Sequence, residues 1–275
     1  MRKALLGAAL FASVALTLGF IVLPIAALFT RVPPGELLDQ LSNPVVRDAL
    51  AISLKTSAVA QLLIIGLGTA PAWLLATHRF PGRAAIVTLV ELPLVLPPAV
   101  AGVGLLVAFG RFGLLGGTFS ALGIDVAFNA AAVTLAVTFV AAPLYLRQAI
   151  AAFEAVDANI VAASRTLGAG PVRTFFRVGL PLARPGLAAG AALSLARGLG
   201  EFGATIMFAG SLQGVTQTLP LAIYAQFDRD FEVAVAISAL FVIMTAAILV
   251  SLKLTSLWPL SQRTSDSRSG LLSWS

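Results

Sequence analysis

Four stretches of this chain, residues 4–29, 56–76, 126–146 and 233–252, contain no formally charged side chain. A spanning helix needs about 20 apolar residues at ~1.5 Å rise each to cross ~30 Å of hydrocarbon, so each stretch is long enough for one crossing. Two further apolar stretches hold embedded charges: Glu91 within 84–110, and Arg197 with Glu201 within 186–209. Six transmembrane helices in an all-α membrane protein are therefore expected. Composition agrees, because 59% of the residues are hydrophobic and only 11% charged, whereas soluble domains carry roughly 25% charged residues. Arg2 and Lys3 precede the first run as they would in a secretory signal. A signal core is only ~7–15 residues long, and this run continues for 26 before Thr30-Arg31-Val32-Pro33-Pro34. It is read as span one.

The pI of about 10.7 suggests nucleic acid until the basic residues are mapped. With the N-terminus inside, twelve of the eighteen Lys and Arg residues fall on the cytoplasmic side, including Arg79, Arg83, Arg147, Arg165, Arg173, Arg177 and Arg184. Five fall outside (Arg31, Arg47, Lys55, Arg111 and Arg229), and Arg197 lies within a span. This bias follows the positive-inside rule and predicts both termini in the cytoplasm. The basicity is topological, and no nucleic-acid partner is implied.

The longest connection predicted, residues 147–185, joins spans four and five and is far beyond the usual few residues. Phe153, Val156, Ile160 and Ala163 recur there at helical spacing, with Asp157, Asn159, Ser164 and Arg165 on the more polar sides. Gly168 and Gly170 stop this helix, Pro171 opens a second through Val172, Phe175, Phe176 and Val178, and Leu180-Pro181 is expected to close it. Such an amphipathic hairpin is either a membrane-surface element or a docking element for a cytoplasmic protein. The domain reading is a first helix and external loop at 1–48, a transmembrane core at 49–252 with its cytoplasmic loop at 147–185, and a polar tail at 253–275. The tail's Ser, Arg and Asp content predicts disorder after Leu260.

No energy source is encoded. There is no glycine-lysine-hydroxyl phosphate loop, and one histidine with no cysteine offers no metal or thiolate chemistry. Catalysis and metal binding by this chain are not expected. Inside the membrane, Arg197 and Glu201 stand four apart, a spacing that puts them on one helix face. The pair is either a structural ion pair or a source of positive potential beside an anion pathway. The stretch Pro93-Leu94-Val95-Leu96-Pro97-Pro98, followed by Gly102 and Gly104, is the most disrupted span. It is read as an irregular pathway wall or as kinked packing. The halves show no internal repeat, which leaves an inverted-repeat secondary carrier without support.

The loop residues resemble the signature of the permeases of type I ATP-binding-cassette importers: E-A-A, three residues, G, nine residues, then I-x-L-P. Ala162-Ala163-Ser164, Arg165-Thr166-Leu167, Gly168 and Val178-Gly179-Leu180-Pro181 reproduce its spacing, with Ala162 where an acidic residue is preferred. Glu154 and Asp157 lie upstream as possible substitutes. The segment from Arg197 through Gly200-Glu201-Phe202-Gly203, Thr205 and Gly210, continuing from Thr216 to Tyr224, looks like the molybdate permeases within that family. Sulfate permeases share the Gly-Glu-Phe-Gly core. The resemblance covers residues 49–252.

The resemblance implies a type I importer (MetI-like) permease fold in a bacterial inner membrane. It implies pairing with a second copy, docking on a cytoplasmic ATPase dimer that carries ATP-Mg, and delivery of the oxyanion by a periplasmic binding protein. No cofactor is expected on this chain. Molybdate is the implied solute, with sulfate or tungstate as alternatives. The coupling element would comprise Ile160, Ala162, Ala163, Ser164, Arg165, Thr166, Leu167, Gly168, Ala169, Gly170 and Pro171, with Leu180 and Pro181 following. Pathway candidates are Pro97, Pro98, Thr138, Ser194, Arg197, Glu201 and Thr205, the three hydroxyls as neutral donors to a passing oxyanion.

Overall fold

A computed structural model describes residues 2–269 of the chain. It is helical throughout those residues. Helix α1 (Arg2–Arg31) leads through α2 (Pro34–Gln40) to α3 (Pro44–Thr77), followed by α4 (Arg83–Val95), α5 (Pro98–Phe109) and α6 (Gly116–Ala121). Then come α7 (Ala130–Glu154), α8 (Ala158–Thr166) and α9 (Pro171–Thr174), which runs through a π-helical turn at Phe175–Gly179 into α10 (Leu180–Leu199). Helices α11 (Gly203–Ala209), α12 (Leu219–Phe227) and α13 (Phe231–Ser269) complete the order.

Five helical segments are long and apolar enough to span a membrane: Ala9–Arg31, Pro44–Thr77, Ala130–Glu154, Pro171–Leu199 and Phe231–Ser251. The pair α4 and α5 is together as apolar but bent by 113° at its break, a broken span or a re-entrant pair, so there are five such spans among the described residues, or six when the bent pair counts as one. That break falls at Leu96 and Pro97, in the stretch singled out from its prolines. Proline has no N–H to donate, and the residue before it is pushed to extended backbone. Leu96 accordingly has ψ 134° and Pro97 ψ 132°. Pro24, Pro71 and Pro143, by contrast, lie inside continuous helices.

The centre of the fold is α7 packed on α3 and α10. Asn129 starts α7 by accepting the N–H groups of Ala131 and Ala132, and Asn43 starts α3 by accepting that of Val45. Helix α10 meets α7 through glycines four and eight residues apart. A Cβ on Gly186 would lie 2.4 Å from the Ala152 Cβ, and one on Gly198 would lie 2.8 Å from Val137. Small residues let membrane helices approach where no hydrophobic effect drives them together. Tyr145 is buried between them, its hydroxyl 2.6 Å from that of Thr69 on α3. Helix α1 lies apart from this centre, and large apolar side chains along it, among them Leu10, Phe11, Leu16, Phe20 and Leu23, are exposed, while Leu28 packs partly buried toward α13.

Four expectations need correction. The segment 147–185 is not a loop between two separate helices, since α7 continues to Glu154 and α9, from Pro171, runs through the π turn into α10. Only residues 155–170 lie between them. Leu180-Pro181 does not close a helix, because the π turn absorbs the backbone bond that Pro181 cannot make and the helix continues to Leu199. The apolar stretch 186–209 is broken at Gly200–Phe202, so Arg197 and Glu201 do not share one helix. Helix α13 runs to Ser269, past Leu260, where disorder is expected from composition. Gly270 to Ser275 lie outside the described residues.

Candidate translocation pathway and coupling hairpin

The two broken spans meet. Helix α5 packs on α11, and Gly102 is where they are closest: a Cβ there would fall 2.6 Å from the Ala204 carbonyl oxygen. A Cβ on Gly203 would fall 2.6 Å from the Pro98 Cβ. Glu201, between α10 and α11, has a side chain only 1% exposed. Its Oε1 accepts the Ala204 N–H at 2.8 Å, and its Oε2 lies 2.7 Å from Arg197 Nη1. One carboxylate therefore closes the start of α11 and neutralises the last-turn arginine of α10. The pairing holds although the shared helix does not.

Arg197 is 34% exposed at its side chain and enters a cavity of about 110 Å³ whose wall includes Pro93, Leu94, Leu96, Pro98 and Val140. The predicted residues Arg197 and Pro98 thus share one cavity, beside the break in the third span, and Pro97 forms the turn behind it. The hydroxyl candidates are placed differently. Thr138 donates to the Thr134 carbonyl of its own helix at 2.7 Å. Ser194 is fully buried, bonded to Gln61 on α3 and to the Ala191 carbonyl. Thr205 is also fully buried, and its Oγ1 has no hydrogen-bond partner. Of the three, Thr205 alone has an unused hydroxyl.

At the opposite end of the fifth span stands the hairpin. Asp157 caps α8 by accepting the Asn159 N–H at 2.8 Å. Gly168, at φ +83°, ends it: its N–H donates to the Arg165 carbonyl at 2.9 Å while the Ala169 N–H donates to Ser164 at 3.0 Å. This paired closure with a left-handed residue is a Schellman cap, and it explains the glycine. Pro171 then starts α9 as expected. The Ser164 and Thr174 hydroxyls meet at 3.1 Å and tie α8 to α9.

Beneath the hairpin, Trp73 of α3, Phe153 of α7 and Phe175 of the π turn form an aromatic base with ring centroids 5.2–6.2 Å apart. Above that base the apolar side chains of Ile160, Leu167, Val172 and Phe176 are exposed. Helix α8 buries none of its residues. The two upstream acids have partners of their own: Asp157 caps α8, and Glu154 pairs with Arg83 at the start of α4. Glu91, without a local partner in the sequence, lies 3.7 Å from Arg147 of α7. Neither of these inter-helix pairs is readable from sequence, because their partners are 71 and 56 residues apart.

A helical bundle of five long apolar spans and one bent apolar pair, with breaks in two of these around a charged cavity and an amphipathic hairpin between α7 and α10, has the architecture of a transport permease. The family described as "Binding-protein-dependent transport system inner membrane component" matches residues 50–258, and the chain belongs to it. The molybdenum transport system permease protein ModB of Mycobacterium bovis is 43% identical over 231 residues, covering 84% of this chain and 88% of that one. ModB of Escherichia coli K12 is 44% identical over 178 residues, covering 64% and 78%. The sulfate transport system permease protein CysW of Synechocystis is 34% identical over 218 residues, covering 79% and 78%. Among solved structures, a bacterial ABC transporter involved in the import of the acidic polysaccharide alginate superposes with a TM-score of 0.74 at 16% identity, covering 93% of this chain and 96% of that one. The fold is that of the type I ABC importer permeases, and the chain is a transport subunit, not an enzyme.

Proposed function

We propose that this chain is the transmembrane permease subunit of an ATP-driven molybdate importer. It works as two copies joined to a cytoplasmic ATPase dimer and receives its oxyanion from a periplasmic binding protein. The observation that carries the coupling is the hairpin: the capped helix α8 with no buried residues, its turn and the segment from Pro171 that follows, together presenting Ile160, Leu167, Val172 and Phe176 beyond an aromatic base. Exposed apolar side chains in a polar setting suit a protein partner more than solvent. ATP and Mg²⁺ belong to that partner, and this chain supplies no cofactor site. The positive-inside bias supports a bacterial inner-membrane protein with both termini and the hairpin in the cytoplasm.

For the solute, support comes from the greater identity to molybdenum permeases than to the sulfate permease and from Arg197 at the mid-span cavity. Arg197 lends positive potential there, tempered by Glu201, so that an oxyanion is drawn in without being trapped. Thr205 offers a neutral donor nearby in sequence. Tungstate, the nearest chemical analogue, is expected to share the pathway, and the choice among oxyanions falls mainly to the delivery protein.

The test is reconstitution with the ATPase and binding protein in vesicles. Molybdate uptake should require internal or external ATP on the ATPase side and resist excess sulfate. Gly168→Trp, which adds bulk at the hairpin's turn, should abolish co-purification of the ATPase. Uptake driven by an ion gradient in ATP-free vesicles containing this chain alone would refute the assignment in favour of a secondary carrier.

A further inference from the structure

Helix α4 buries none of its residues and packs chiefly on α7. Val87 packs partly buried against the cluster around Tyr145 and Ile150, and the register is marked by a pair of charge contacts in crossed order. At its first residue, Arg83 Nη2 donates to Glu154 Oε1 at the end of α7, and Arg83 Nε donates to the Leu75 carbonyl of α3 at 2.6 Å. Eight residues on, Glu91 faces Arg147, seven residues before Glu154. The two rungs are thus separated by ~11–12 Å along antiparallel helices. Because the signs alternate, sliding α4 along α7 breaks both rungs, and a slide by the full spacing sets Arg83 against Arg147. Partly exposed pairs of this kind add little stability, but they specify one register.

The two ends of this clamp are not equivalent places. Glu154 is the last residue of α7, directly before the hairpin, while Pro93, Leu94 and Leu96 at the far end of α4 form the wall of the Arg197 cavity. We propose that Arg83, Glu154, Glu91 and Arg147 are positioning residues that make α4 move with α7 as one body, carrying displacement of the hairpin to the cavity wall. This rests on the importer reading above. It adds to that reading a route from the ATPase side to the pathway that does not pass through the Arg197–Glu201 pair.

The test uses the full permease, ATPase and binding-protein complex, with two readouts. One is molybdate taken up per ATP hydrolysed. The other is thiol labelling of Leu94→Cys, with and without nucleotide, in a chain that has no other cysteine. Arg147→Glu and Glu91→Arg should each lower the uptake ratio by roughly fivefold, the order at which residues on a coupling route act, and should remove the nucleotide dependence of labelling. The double exchange should restore both. Single reversals without effect, or an exchange no better than the worse single variant in complexes that assemble equally, would overturn the proposal.

Cross-linking Glu91→Cys to Arg147→Cys with a short bis-maleimide covers variants that fail to assemble. Transport should survive, since the helices move together, and a block would overturn the proposal. If the unmodified complex takes up no molybdate, the solute assignment falls, while the labelling experiment still decides the clamp.

Discussion

Replacing Gly168 separates what its backbone does from what its lack of a side chain does. At φ +83°, with nothing within 4 Å of where a Cβ would stand, the site has room for alanine but not the right conformation for it. The left-handed region costs a residue with a Cβ about 1–2 kcal/mol. Gly168→Ala should therefore weaken the capped hairpin by that amount, a ~5- to 30-fold fall in affinity for the ATPase if the partner binds only the capped form. Asparagine, which visits this region more readily, should fall between glycine and alanine. Titrating purified ATPase against detergent-solubilised variants gives the series directly. Alanine binding as tightly as glycine would refute the view that the Schellman cap sets the hairpin's shape, whatever tryptophan then does.

Changes inside the membrane should divide by whether they leave a charge stranded. Arg197→Gln alone leaves Glu201 buried without its partner and should destabilise by ~3–5 kcal/mol, seen as reduced membrane abundance and earlier thermal unfolding. Arg197→Gln combined with Glu201→Gln should keep assembly and slow molybdate uptake, and unchanged uptake would leave only a structural role for the pair. Gly102→Ala drives a methyl against the Ala204 carbonyl and the Met207 Cβ and should cost ~1–3 kcal/mol, with the double variant Gly102→Ala, Met207→Ala no better because alanine keeps that Cβ and the carbonyl stays. Ser53→Ala removes the oxygen that accepts the Leu219 N–H at 2.8 Å and should cost ~1–3 kcal/mol in unfolding midpoint assays, the price of a buried unpaired donor.

The crossings were legible because charge-free runs report contact with lipid, which is a local property of sequence. The hairpin's turn was legible too, since Gly168 and Pro171 act on their own backbone. Where the reading failed, the determinant was elsewhere. Hydropathy does not distinguish a continuous apolar helix from one that stops at Leu199 and restarts at Gly203, as the two segments run together in sequence as one apolar stretch. Leu180-Pro181 looks like a terminator until a π turn accommodates it. The partners of Glu91 and Glu154 lie on helices that only the packed bundle brings together, so no spacing rule could have named Arg147 and Arg83.

The two chain breaks solve each other's problem. Irregular backbone is tolerated at membrane depth only where protein or cavity water satisfies it. In the third span the break is made of Pro97 and Pro98, which remove two N–H donors at the very residues where the helix ladder fails. In the fifth span the break keeps its donors, and Glu201 takes the Ala204 N–H while the Phe202 carbonyl takes that of Ile206. Gly102 and Gly203 then bring the two breaks into contact without a side chain between them. The charge needed to close one break is balanced by Arg197, and that same arginine reaches the cavity at the other. Two prolines, two glycines and one ion pair thus keep the backbone satisfied at both breaks, which is what the proposed pathway would require of a wall that rearranges.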